Sequence, residues 1–182
     1  KSMGMAKKLS EDIADLLLNE RVMITLEDET TQEFVQEILN NNHFLVMGND
    51  YQERKAYSGT VAYIPYLYNA VVQGDGTISS GKIGINYVDA KNIYPVSWNN
   101  GEVTECIFTF VHTVRQKKYV QIQFHRIEEN GMYVIENSVL ECTKGSTEGR
   151  ELTEQEWKQL KPFVNMAART ETGSTEPQFV ID

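Results

Sequence analysis

Residues 89–106, DAKNIYPVSWNNGEVTEC, decide the fold. Asn99-Asn100-Gly101 lies between two strand-forming runs, Ile93-Tyr94-Pro95-Val96-Ser97-Trp98 and the chain from Val103 onward. Asn and Gly accept a positive φ at little steric cost, so together they reverse the chain. Apolar runs on both sides make the reversal a hairpin. No residue of the stretch has catalytic character. Helical periodicity dominates before it and strands follow it, so it reads as the joint between two halves of one α+β unit.

Downstream, alternation continues. Residues 103–114 place Phe108, Phe110 and Val114 on one side, with His112 in line. Residues 119–127 place Val120, Ile122 and Phe124 on one face and Gln121, Gln123 and His125 on the other; residues 132–140 follow. Arg115-Gln116-Lys117-Lys118 and Glu128-Glu129-Asn130-Gly131 are short, turn-rich links. Short links between alternating strands predict an antiparallel meander with one face covered. The histidines are expected on its open surface. Further on, Thr153 with Glu156 predicts a capped short helix, and residues 173–177 space it from a last strand-like run.

Upstream, Leu9, Ile13, Leu16 and Leu17 follow a 3.6-residue period within 5–20, with Lys7, Lys8, Glu11, Asp12 and Asp15 opposite. This predicts a helix packing one side on a sheet; an arm exchanged with a neighbouring subunit is the alternative. Residues 22–26, VMITL, read as a short strand. A second helix is expected over 30–41, capped by Asp28, Thr30 or Thr31, with Phe34, Val35, Ile38 and Leu39 as its stripe. Asn40-Asn41-Asn42 ends it through a left-handed residue. Between Leu26 and Asn42 stand five acids, at 27, 28, 29, 33 and 37, and no Lys or Arg; they read as a solvated face with helix-start acids, or as an acidic contact surface. Asn49 or Asp50 caps a third helix, which Gly59-Thr60 breaks. Residues 61–68, VAYIPYLY, form a strand whose Pro65 marks an edge or a bulge. Tyr57, Tyr63, Tyr66 and Tyr68 belong to a sheet face or to an interface. Residues 73–81 lack the Gly-Lys-Ser/Thr of a phosphate loop, and Asp75-Gly76 marks a hairpin turn. From 82, Ile83, Ile85 and Tyr87 alternate with Gly84, Asn86 and Val88. The two amphipathic helices are the expected cover of the sheet. The whole reads as one α+β domain over 1–182: helical over 1–58, mostly β over 59–142, a short helix and strand over 150–182.

With 182 residues, 41% of them hydrophobic, the chain can bury a core of its own. Its apolar runs fall short of the roughly 20 residues of a membrane span, and no secretory segment opens it. Lys plus Arg number 17 against 26 Asp plus Glu, a net charge of −9. That argues against a general nucleic-acid groove but leaves room for a local basic patch. Cys106 and Cys142 make no disulfide framework and read as reduced, half-buried thiols of a cytosolic protein. The abrupt start at Lys1 and the strand-like end at Asp182 read as a piece cut from a longer protein.

Chemistry-bearing motifs are absent. There is no G-x-S-x-G elbow, no H-E-x-x-H and no C-x-x-C. His112 and His125 on neighbouring strands could face each other across a hairpin, but two histidines need a third ligand to hold a metal. No catalytic, cofactor-binding or metal-binding residue is expected. The rival readings are a small hydrolase using His112 or His125 with a carboxylate, and a peptide-binding module with an open sheet edge.

Three stretches carry a family resemblance. The first is Ser2-Met3-Gly4-Met5-Ala6-Lys7-Lys8 running into Asp15-Leu16-Leu17-Leu18-Asn19-Glu20. The second is Gly59-Thr60 and the strand after it. The third is residues 89–101 with Thr104-Glu105-Cys106, echoed by Asn130-Gly131-Met132-Tyr133-Val134-Ile135-Glu136-Asn137. In these the chain resembles the portal proteins of tailed bacteriophages and of prophages of Gram-positive bacteria. The resemblance implies a structural, non-enzymatic part of the virion: a ring of about twelve subunits at one capsid vertex, through which DNA is packaged and ejected. It implies the other portal subunits as partners, with terminase, capsid or scaffold proteins and head-completion proteins; DNA passes through the channel without direct binding by this chain, and no membrane is involved. It implies assembly in the bacterial host cytoplasm. Within a portal subunit the chain matches the α+β wing, and stops before the channel-lining helices and the clip.

Overall fold

The computed structural model describes residues 4–19, 21–72, 78–142 and 149–182. The Asp75-Gly76 turn and most of the 144–150 loop lie outside them. The helices are α1 (Met5–Leu17), α2 (Glu29–Asn41), α3 (Phe44–Ser58) and α4 (Glu154–Trp157). The strands are β1 (Val61–Val72), β2 (Ile78–Asp89), β3 (Ile93–Asn99), β4 (Glu102–Val114), β5 (Lys117–Ile127), β6 (Tyr133–Cys142), β7 (Gly149–Leu152), β8 (Arg169–Glu171) and β9 (Val180–Ile181). The fold is α+β with antiparallel sheets, as the sequence predicts. The chain divides into two compact units, 1–90 with 179–182, and 91–178. The dividing point falls inside the stretch read as the joint.

In the first unit the sheet order is β2-β1-β9. Val61 donates to the Asp182 carbonyl at 3.0 Å and accepts from Asp182 at 2.9 Å. By the two-residue period of a strand, Pro65 turns its missing N–H to the same side, past the end of β9, so it breaks no ladder bond. β1 is the middle strand of its sheet rather than the expected edge, but two-residue β9 stops short of Pro65 and leaves that side open there; no bulge stands at Pro65 either, since β1 and β2 pair without a shift from Val61 to Tyr68. Glycine opposite Tyr66 leaves room for its ring: a Cβ on Gly84 would lie 2.5 Å from the ring and force it to shift. Helices accompany this hairpin. The α3 residue Arg54 pairs with Asp89 at 2.8 Å, Gln52 donates to Asp182 at 2.8 Å, and Tyr51 and Tyr63 pack on Tyr87.

Four local expectations are corrected. The first helix ends at Leu17 rather than residue 20, because Asn49 of α3 takes the Leu18 carbonyl at 2.5 Å and Asn19 takes that of Asp15 at 2.7 Å. Segment 22–26 is no strand: the Gln32 amide accepts from Leu26 N–H and donates to the Ile24 carbonyl, replacing a neighbouring strand with one side chain. The left-handed residue after α2 is His43 (φ 49), not an asparagine. Asn42 instead bonds both Ile83 O and Ile85 N with its amide, closing part of the outer edge of β2. The third helix therefore starts at Phe44, before Asn49 and Asp50, and ends at Gly59 (φ 88) as expected. The cap of α2 is Asp28, which accepts from Thr31 N–H at 2.7 Å.

The largest correction concerns α1. Its buried residues are Ser10 and Ala14, the latter 0% exposed. These small side chains let α1 lie close on α3, where Gly48 is also buried and leaves room for Leu18. The apolar stripe lies beside this contact rather than in it: Leu9 is 62% and Leu16 82% exposed, and Met5 and Leu17 are exposed as well. A periodic pattern marks an apolar face; it does not say which molecule covers it.

In the second unit the sheet order is β3-β4-β5-β6-β7, with β8 also on β6. The predicted hairpin turn forms, and since Asn99 pairs with Glu102 its loop is two residues, Asn100 (φ 51) and Gly101 (φ 88). Val114 pairs with Lys117 in the same way, yet here Arg115 (φ 50) and Gln116 (φ 68) occupy the left-handed positions. Neither has the freedom of glycine, and each costs roughly 1–2 kcal/mol there. The predicted capping box forms: Thr153 N–H donates to the Glu156 carboxylate at 2.8 Å, and Thr153 Oγ1 accepts from Glu156 N–H. This starts α4, whose Trp157 joins Tyr119, Val139, Leu152 and Phe163 in the core. The expected helical cover thus lies with the first hairpin, and the longer meander carries a cover of its own from the C-terminal segment.

Candidate functional site

The enzymatic alternative rests on the histidines. In the β4–β5 register His112 lies opposite Tyr119 and His125 opposite Cys106. They are six pairs apart along β5, about 20 Å at strand spacing, so they do not face each other across the hairpin. Nor is either an ordinary surface residue. His125 is 1% exposed and meets Phe108 edge-on; His112 stacks edge-on against Phe163. The face bearing Gln121, Gln123 and His125 is the one under the C-terminal cover. Its polar groups are satisfied by a ladder of amides: His112 to Gln121 at 3.2 Å, Gln121 to Asn137 at 2.9 Å, Gln123 to Asn137 at 3.5 Å, and Gln123 to His125 at 3.2 Å. Burial pulls the His125 imidazole down to about 4, so it is neutral at pH 7. A buried imidazole bonded to a glutamine amide has no route to substrate. Among the described residues no group of three His, Cys, Asp or Glu could hold a metal.

The two thiols separate. Cys106 is buried and Cys142 exposed, and both are free, so neither is the half-buried thiol expected. Burial pushes the Cys106 thiol up to about 11. The sheet-edge alternative meets an obstacle at β3, the outer strand of its sheet. Pro95 and two register shifts interrupt β3, devices that discourage a further strand from pairing.

What remains is surface rather than pocket chemistry. The first unit presents the apolar stripe of α1, with Lys7–Glu11 and Lys8–Asp12 pairs along its flank. The tyrosines of the sequence cluster divide between the two uses weighed for them. Tyr63 turns inward onto Tyr87 and accepts a bond from Gln52 at 3.1 Å, while Tyr57 and Tyr66 are exposed. On α2 no residue is buried, and Phe34 stands exposed among the acids. These side chains do no covalent chemistry. They can bury area against another protein surface.

Sequence reasoning missed one feature. Arg115 and Lys117, passed over as a turn, flank a cleft with Lys161, far away in the chain. The local excess of cations over 115–118 was the available signal; the third cation could come only from the fold.

A comparison with family models matches residues 2–148 to a family described as phage portal protein, SPP1 Gp6-like. All three stretches that carried the resemblance lie in the matched range, which ends before β7. No individual curated protein matches the chain.

Proposed function

Because this chain belongs to the SPP1 Gp6-like family of phage portal proteins, we propose that it is the wing of a portal subunit. In this reading it is one part of a ring at the capsid vertex, through which DNA is packaged and ejected. The family role is structural; the work proposed for this chain is packing and symmetry, without catalysis. A closed ring needs two different complementary surfaces on each subunit. The observation that carries the reading is α1, which buries Ser10 and Ala14 and leaves Leu9 and Leu16 facing outward. Contiguous exposed apolar side chains on a helix are costly in water and mark a face that another protein covers. The proposal places terminase, capsid or scaffold and head-completion proteins at the assembled vertex, after assembly in the bacterial host cytoplasm. With a net charge of −9 the chain repels DNA more than it holds it.

The test uses the protein expressed from its complete reading frame and imaged by negative-stain electron microscopy. Rings with a central hole are expected. Leu9→Glu combined with Leu16→Glu should disperse most of the rings without lowering the melting temperature, because neither side chain supports the fold of its own unit. A wild-type protein that stays monomeric or dimeric overturns the reading.

We also propose that residues 1–182 behave as one α+β domain. The first unit is completed by β9, which the chain reaches only after the whole second unit. Scanning calorimetry of the 182-residue chain is expected to show one transition. Two separate transitions would refute this.

A further inference from the structure

In a chain with nine more negative than positive charges, three cations gather at one cleft of the second unit. The cleft has a volume of about 560 Å³. Val114, Tyr119 and Leu160 supply an apolar floor, and Arg115, Lys117 and Lys161 supply the charge. Lys117 is partly neutralised by Glu141 at 2.5 Å, which also holds Arg150 at 3.1 Å. Among the described residues Arg115 and Lys161 have no ion-pair partner. Such cations beside a half-buried apolar patch are available to a ligand that brings both negative charge and apolar surface.

A second observation is independent of the charge count. The turns β3–β4 and β4–β5 share one backbone form, with two successive residues at positive φ. The first is built from Asn-Gly, the pair that suits it. The second uses Arg115-Gln116, which does not. Backbone strain kept at one turn and avoided at its twin points to a side chain retained for what it does. The side chain so retained is Arg115, at the rim of the cleft.

We propose that this cleft is a docking site for an acidic segment of a partner protein that inserts an apolar side chain between the cations. Arg115 and Lys161 bind its carboxylates, and the floor at Tyr119 and Leu160 receives its apolar anchor. Nucleic acid is the weaker fit: three cations, one of them paired, are a small footprint for a polyanion approaching an acidic chain. This goes beyond the wing reading and does not require ring formation.

The probe is a short end-blocked peptide of glutamates around a central phenylalanine, titrated into the 182-residue chain and followed by amide NMR shifts. Shifts confined to residues 114–119 and 159–161 are expected, falling off with added salt. Arg115→Glu with Lys161→Glu should weaken binding at least tenfold. A second variant, Arg115→Asn with Gln116→Gly, keeps the turn and should melt later than wild type while losing affinity as well, so lost binding cannot be ascribed to misfolding. No localised shifts, undiminished binding in both variants, or preference of the same residues for a short DNA duplex over the peptide would each overturn the proposal.

Discussion

Phe163→Ala is expected to remove about 3–5 kcal/mol of stability, the cost of deleting a fully buried aromatic ring. Phe163 is 0% exposed. It meets His112 edge-on at 4.8 Å between centroids and Trp157 at 6.5 Å, and closes a core with Tyr119, Val139 and Leu152. No element with a long apolar run can move in to fill the space. The segment above the sheet is α4 and a single 3-10 turn, Lys161–Phe163, strung between β7 and β8 on β6 and packed down by these few side chains. Whole domains have a net stability of roughly 5–15 kcal/mol, so this loss would leave the second unit marginal. Urea unfolding followed by the fluorescence of buried Trp157 measures it. Val164→Ala, at an exposed neighbour, should stay within about 0.5 kcal/mol of wild type. A Phe163→Ala midpoint indistinguishable from wild type would mean that the cover is not held by this core.

The parts of the fold legible in the sequence are those fixed by neighbours in the chain. Asn99-Asn100-Gly101 had to turn because few other residues accept its φ values, and Thr153 with Glu156 had to cap because each satisfies the other's orphan N–H. Portal kinship was legible for a similar reason, since its stretches lie within continuous elements. The misreadings needed a partner distant in sequence. Residues 22–26 have the composition of a strand, but a strand exists only with a neighbour, and Gln32 took that place. In α1 the larger side chains marked an apolar face, whereas the close approach to α3 selected the small ones, Ser10 and Ala14. On β5 the pattern assigned Gln121, Gln123 and His125 to water. The amide ladder through Asn137 satisfies them instead, and nothing local announces a residue 14 or 16 positions away as the acceptor. The cleft was half legible: Arg115 and Lys117 were in view, while Lys161 arrives only through the cover that Phe163 anchors.

Acid should destabilise the chain well before its carboxylates titrate, and His125 is the reason. Its unfolded value is near 6.5 and its folded value is pulled down to about 4 by burial. Between these two the unfolded chain binds a proton that the folded chain refuses, so stability falls as pH falls through that window. The cost is on the order of 3 kcal/mol over the whole window and about 2 kcal/mol between pH 7 and 5. The groups around the ring do not offset this. Cys106, opposite in the register, stays a neutral thiol, Phe108 is apolar, and Gln123 can bond the ring but not neutralise its charge. Glu136, Glu141, Glu156, Asp28 and Asp182 have folded values held below the usual carboxylate range by their partners. What they contribute is present above the unfolded carboxylate value and is lost only as pH falls below it. The upper part of the window therefore belongs to the imidazole. His125→Gln keeps an amide able to bond Gln123 but cannot take a proton. Its stability at pH 7 should be lower than wild type, yet nearly unchanged from pH 7 to 5, where wild type loses about 2 kcal/mol. Urea midpoints at both pH values decide it: equal acid sensitivity in the two proteins would mean that His125 is not buried as described.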